Sequence, residues 1–190
     1  MNGLRKKTII GFDMDGVIID LAPQKMRLAR ERGFIISLRD TQSDLLKKAL
    51  PENIRKEIQK KLYGEREYTL SAAIMPEVAE TLEKLTKMEI AFFLISRRRS
   101  YDPAVKLLMS KGIWPQYFDR NNAFFVESSQ DKNTVAKKLG ITHFLDDELD
   151  VLEILDSVPN KILFDPVDAF PEWSLGTRIT HWNELLPHIG

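Results

Sequence analysis

From Pro76 onward the chain alternates short apolar runs with amphipathic stretches at helical spacing, and few architectures accept that pattern. "PEVAETLEKLTKM" puts Pro76 at a first helical position and Val78, Leu82 and Leu85 on one face. "IAFFLIS" follows as a continuous apolar run, as expected of a strand covered on both sides. "DPAVKLLMSKG" reads as a helix capped by Asp102, with Pro103 first and Gly112 closing it. "AFFV", "DKNTVAKKLG", "ITHFL", "DELDVLEIL" and "KILFD" continue as strand, helix, strand, helix, strand. With the early run "KTIIGFD" these make about five strands, and the expected fold is α/β: a Rossmann-like, doubly wound parallel sheet with right-handed crossovers. Residues 21–74 break the rhythm. There "SDLLKKAL" and "PENIRKEIQKKLYG" predict two helices and no strong strand, so a small helical cap is expected after the first strand. The expected division is 1–20 with 75–190 as the core, and 21–74 as the cap.

A chain of 190 residues, 43% of them hydrophobic, can bury one core of ordinary domain size. Lys plus Arg and Asp plus Glu each total 28, and that balance gives no reason to expect a nucleic-acid polymer as partner. The absence of cysteine excludes disulfides and thiolate metal sites. Basic residues before "TIIGF" imitate a secretory leader, but Asp13 and Asp15 interrupt the apolar run too early for one. "IAFFLIS" falls far short of the roughly 20 residues that span a bilayer. A soluble, cytoplasmic protein with no membrane contact is expected; the sequence says nothing of its oligomeric state.

Ligands of doubly wound sheets bind beyond the carboxyl ends of the strands, so the residues that end each strand carry the chemistry. The first strand ends at Asp13, with Asp15 two residues on and so on the same face. "IAFFLIS" ends at Ser96, followed by Arg97; "AFFV" leads through "ESSQDK" to Lys132 at the start of a helix; "ITHFL" runs into Asp146 and Asp147. Taken singly, Asp13 with Asp15 is an ordinary turn, and Asp146 with Asp147 suits the start of the helix "ELDVLEIL". Gathered at one sheet edge, four acids repel one another unless a hard divalent cation sits among them. A few carboxylates completed by water and phosphate suit Mg²⁺, whereas Ca²⁺ asks for a larger oxygen cage. Arg97, Arg98 and Arg99 form a charge run expected to be solvated, with Arg97 alone near enough to the strand end to touch a substrate. His143, Trp114, Trp173 and Trp182 read as packing residues.

Together these motifs resemble the haloacid dehalogenase-like superfamily of phosphohydrolases. "IIGFDMDGVIID" is similar to its first motif, "FFLIS" to the second, Lys132 in "SQDKNTVAKKLGI" to the third and "HFLDD" to the fourth, in order over residues 9–147. The ending "RITHWNELL" and the compact "LDD" resemble the 5′-nucleotidase-like branch. The resemblance implies Asp13 as nucleophile and Asp15 as general acid and base. It implies Ser96 and Lys132 as phosphoryl contacts; Arg97 joins them as a substrate-binding candidate from its place at the strand end alone. It implies Mg²⁺ held by Asp13, the Asp15 backbone carbonyl and the Asp146–Asp147 pair, and leaves open which of that pair ligates directly. The implied substrate is a small phosphorylated metabolite, with 5′-nucleotides among the candidates. Asp15 speaks against carbon–halogen chemistry. A phosphotransferase or phosphomutase, or a non-catalytic metal-dependent binding protein of the same fold, would carry the same residues. A receiver domain would place its acid pair on the first strand and its lysine last, the reverse of the order here.

Overall fold

The structure, a computed structural model, describes residues 7–98 and 101–189; Arg99 of the charge run lies outside them. The chain runs β1 (Ile9–Phe12), β2 (Ile19–Asp20), α1 (Ala22–Glu31), α2 (Ser43–Ala49), α3 (Glu52–Gly64), α4 (Arg66–Ser71) and β3 (Ala73–Ile74). It continues through α5 (Val78–Lys87), β4 (Ala91–Ser96), α6 (Tyr101–Ser110), β5 (Ala123–Phe125), α7 (Ser129–Leu139), β6 (His143–Asp146), α8 (Leu149–Ile154), β7 (Asn160–Phe164) and β8 (Thr177–Ile179). The main sheet has six parallel strands in the order β5-β4-β1-β6-β7-β8.

Side chains alternate across that sheet, as strand geometry dictates. Ile10 and Phe12, Leu94, Leu145, and Ile162 with Phe164 face one apolar cluster, which also takes Val78, Leu82 and Leu85 of α5 and Leu107 and Leu108 of α6. Ile95, Phe144 and Leu163 face the other, with Ala136 of α7 and Val151 and Leu152 of α8. Both faces are therefore covered, which is why the strands read as unbroken apolar runs. β1 lies between β4 and β6, so the chain steps to one side of it and then returns to the other. The crevice at such a reversal is where this architecture binds ligands.

Several expectations need correction. The sheet has a sixth strand, β8, in "TRI"; it is an edge strand with only Ile179 fully buried, so no apolar run announces it. The insertion holds four helices rather than two. The inward stripe of α1 includes the polar Gln24 beside Leu28 and Ala29, and α4 is a six-residue helix, so neither stands out in the sequence. Its two ends are stitched by a short antiparallel ribbon, Ile19 opposite Ile74 and Asp20 opposite Ala73. At finer scale, α5 begins after Glu77 rather than at Pro76, and Asp102 and Pro103 lie within the first turn of α6, where a missing amide hydrogen does no harm.

Trp182, in a 3-10 turn after β8, is fully buried. Its indole nitrogen donates to the Val17 carbonyl at 2.9 Å, and its ring centroid lies 5.1 Å from that of Phe12. The carboxyl-terminal segment thus clamps the loop between β1 and β2. Trp182→Ala is expected to cost about 3–5 kcal/mol, the range for emptying a buried aromatic site, and urea unfolding followed by circular dichroism measures it.

Candidate active site

Asp13 follows β1 directly, and its amide donates to the Leu145 carbonyl at 3.0 Å, which fixes the strand end against β6. Met14 turns into the core. The chain then folds back tightly: the Gly16 amide reaches the Ile19 carbonyl at 2.8 Å, and the Ile18 and Ile19 amides both reach Met14. Gly16 has φ +87°, and a Cβ there would stand 2.3 Å from Asp147 Oδ2. Glycine is needed twice over, for the backbone and for the carboxylate pressed against it.

Lys132 sits in the first turn of α7. That helix is fixed by a reciprocal cap: Ser128 accepts from the Asp131 amide, and Asp131 accepts from the Ser128 amide. Its ammonium is buried, 5.4 Å above the Phe144 ring. It donates to Asp13 Oδ1 and to Asp146 Oδ2, both at 2.7 Å. Burial alone would lower its pKa, but Asp13 and Asp146 overcome that and raise it. Gly11 makes room for the ring beneath it, since a Cβ there would meet Phe144 at 2.5 Å.

Asp13, Asp146 and Asp147 each bring a carboxylate oxygen within 4.8 Å of the others, and all three are buried. Asp146 also accepts from the Glu148 amide at 3.1 Å. Asp147 Oδ1 is buried with no hydrogen-bond partner. Burial first, and neighbouring acids second, push the Asp147 carboxyl well above its usual range; Asp146 is likewise raised by burial, against the pull of Lys132. Clustered hard oxygens, one of them unpartnered, make a donor set able to hold a divalent cation.

The carboxylate of Asp15 stands apart from that cluster. It accepts from Arg98 Nη1 at 3.0 Å, and burial raises its pKa although Arg98 opposes the rise. Ser96 is buried at the end of β4, its hydroxyl accepting from the Arg98 amide at 3.3 Å. Arg97 is partly exposed and paired with Glu148. A cavity of about 610 Å³ opens over these residues, lined by Asp13, Asp15, Ser96, Arg97 and Arg98 from the core and by Lys56, Gln59, Lys60 and Tyr63 from α3.

The sequence therefore brings Asp13, Asp15, Ser96, Arg97 and Lys132 to one place, with Asp146 and Asp147 beneath. The charge run is not solvated as expected: Arg98 is buried. Arg98 follows Ser96 by two residues, a parity that could have marked it. Tyr63, Lys56 and Gln59 gave no sequence signal, because only the docking of the insertion carries them over the sheet. His143 is half-buried, with Nδ1 2.9 Å from the Thr142 hydroxyl.

No family model and no curated protein matches the chain. Solved structures match it over nearly their whole length. A conserved haloacid dehalogenase-like protein of unknown function from Agrobacterium tumefaciens superposes with a TM-score of 0.67 at 18% identity, covering 97% of this chain and 98% of that one. An HAD family hydrolase from Deinococcus radiodurans, with bound phosphate and sodium, gives 0.63 at 16% identity, covering 94% and 93%. A predicted phosphoglycolate phosphatase from Haemophilus somnus gives 0.55 at 16%, covering 93% and 89%. Identities this low establish a shared fold.

Proposed function

From a chain with the fold of haloacid dehalogenase-superfamily hydrolases, we propose a phosphatase that hydrolyses a small phosphomonoester and uses Mg²⁺. The observation that carries this reading is Asp13. Its carboxylate lines a polar cavity, 2.7 Å from a buried lysine and grouped with two further buried aspartates.

In this reading an Asp13 oxygen attacks phosphorus, and the new O–P bond forms as the ester P–O bond breaks. Asp15 gives its proton to the departing oxygen; the burial that raises its pKa favours the protonated form a donor needs. The Asp15 carboxylate then takes a proton from water as that water's oxygen displaces Asp13 from the phosphoryl group, which splits one hard displacement into two easier ones. Lys132 holds Asp13 in place and offsets charge on the phosphoryl oxygens, with Ser96 and Arg97 beside it. Asp13, Asp146 and Asp147, with the Asp15 backbone carbonyl, are the residues that would hold Mg²⁺, and the unpartnered Asp147 oxygen fits that role. Bound there, the cation supplies neutralisation between an anionic nucleophile and an anionic ester.

The insertion over residues 21–74 serves as the lid that excludes water and contacts the leaving group. Among the described residues lining the cavity Tyr63 is the one aromatic, and Arg98 lies over its ring. This favours a polar leaving group over a stacked base. The reading is of a soluble enzyme acting on a metabolite; no helix among the described residues is long and apolar enough to cross a membrane.

The test is phosphate release from a panel of phosphomonoesters, with Mg²⁺ and after chelation. Removing the metal is expected to lower turnover by about 10²-fold or more, and adding Mg²⁺ back should restore it. Equal rates in both conditions would take the cation out of the reaction, and silence across the panel would take away the phosphatase.

A further inference from the structure

We infer that Arg98 is a positioning residue: it ties α3 of the insertion to Asp15, so that the group proposed to serve the leaving oxygen is held in part by the lid itself. This inference rests on the phosphatase reading above.

Arg98 leaves the end of β4 with its side chain wholly out of solvent. One terminal nitrogen, Nη1, donates to Asp15 Oδ1 at 3.0 Å. The other, Nη2, donates to the Leu62 carbonyl at 3.4 Å. Its guanidinium carbon lies 4.8 Å from the centre of the Tyr63 ring. Leu62 and Tyr63 both belong to the last turn of α3. Carbonyls there lack an intrahelical partner and carry the negative end of the helix dipole, so they attract a cation. The Arg98 amide completes the join by donating to the Ser96 hydroxyl.

A buried guanidinium is tolerated when its polar groups are engaged; here the two terminal nitrogens and one face are divided between Asp15 and the insertion, while Nε has no partner. That division separates Arg98 from its neighbour. Both arginines line the cavity, but Arg97 is partly exposed and pairs with Glu148 at the rim. Arg98 is committed to protein groups at both terminal nitrogens, so its part is to aim Asp15 rather than to grip a phosphoryl oxygen. A lysine could not replace it: a single ammonium has no planar fork to span a carboxylate and a carbonyl while lying on an aromatic ring.

The experiment compares two phosphomonoesters. Para-nitrophenyl phosphate releases a stable anion and needs little help from an acid; an alkyl phosphate from the active panel releases an alkoxide that must be protonated. Wild type, Arg98→Lys, Arg98→Met and Tyr63→Leu are assayed with Mg²⁺, with circular dichroism to check folding. Both Arg98 variants are expected to lose roughly 10²-fold in kcat on the alkyl ester, the scale of a misplaced reacting group, and less than about threefold on the aryl ester, where acid assistance matters little. Tyr63→Leu, which keeps the ion pair and removes the ring, should show the same preference in weaker form. Should Arg98→Met not fold, Arg98→Lys and Tyr63→Leu decide. Equal losses on both esters, or none on the alkyl ester, overturn the role of Arg98 and leave the phosphatase standing. A wild type that cleaves neither ester overturns both.

Discussion

Asp13→Asn is expected to abolish phosphate release, by roughly 10⁴-fold or more, as removal of a nucleophile does in enzymes whose intermediates are covalent. The substitution is nearly isosteric. The amide oxygen can still accept from Lys132, and Asp146 still balances that lysine at 2.7 Å. The strand end is fixed by the Asp13 amide on Leu145, which the change leaves intact. The fold should therefore survive while the chemistry goes. Steady-state phosphate release beside a circular-dichroism melt reads both. Retained turnover would remove Asp13 as nucleophile, and a collapsed melt would show that its charge is needed for folding.

Lys132→Met should have a large effect on stability, and one that depends on metal. The methionine has nearly the length of the lysine but leaves Asp13 and Asp146 facing each other, with Asp147 close by, and no cation between them. Removing one member of a buried ionic group typically costs about 3–5 kcal/mol, because the remaining charge stays buried and unpaired. Urea unfolding under chelation should show a loss of that size. In Mg²⁺ the loss should be smaller, since a cation among the same oxygens replaces part of what the ammonium did and stabilises the folded state that binds it. An identical loss in both conditions would mean that no metal couples to these carboxylates.

The core was legible from sequence because a sheet covered on both faces demands unbroken apolar strands, and this chain supplies them at "TIIGF", "IAFFLIS" and "KILF". The residues that end those strands were legible for the same reason: once "FFLIS" is a strand, Ser96 has one place to be. β8 was not legible, because an edge strand of three residues need not be apolar on both sides. Nor were α1 and α4, whose inward faces mix polar and apolar groups. Arg98 was misread on a sound generality, that charge runs are solvated. What buries it is Asp15, 83 residues earlier, and a helix end that local sequence cannot bring to it. The cavity wall formed by Lys56, Gln59 and Tyr63 depends wholly on how the insertion docks.

That docking also reaches the acidic couplet. Asp44, in α2 of the insertion, accepts from the Leu149 amide at 3.1 Å, the first amide of α8. Ser43 next to it donates to Glu148 at 3.3 Å. The insertion thus supplies the capping group for a core helix that begins just beyond Asp146 and Asp147, and lifting it would bare that amide. Thermodynamic reciprocity then applies: whatever factor a seated insertion adds to the grip of the 146–148 turn on an ion, the ion returns to the seating.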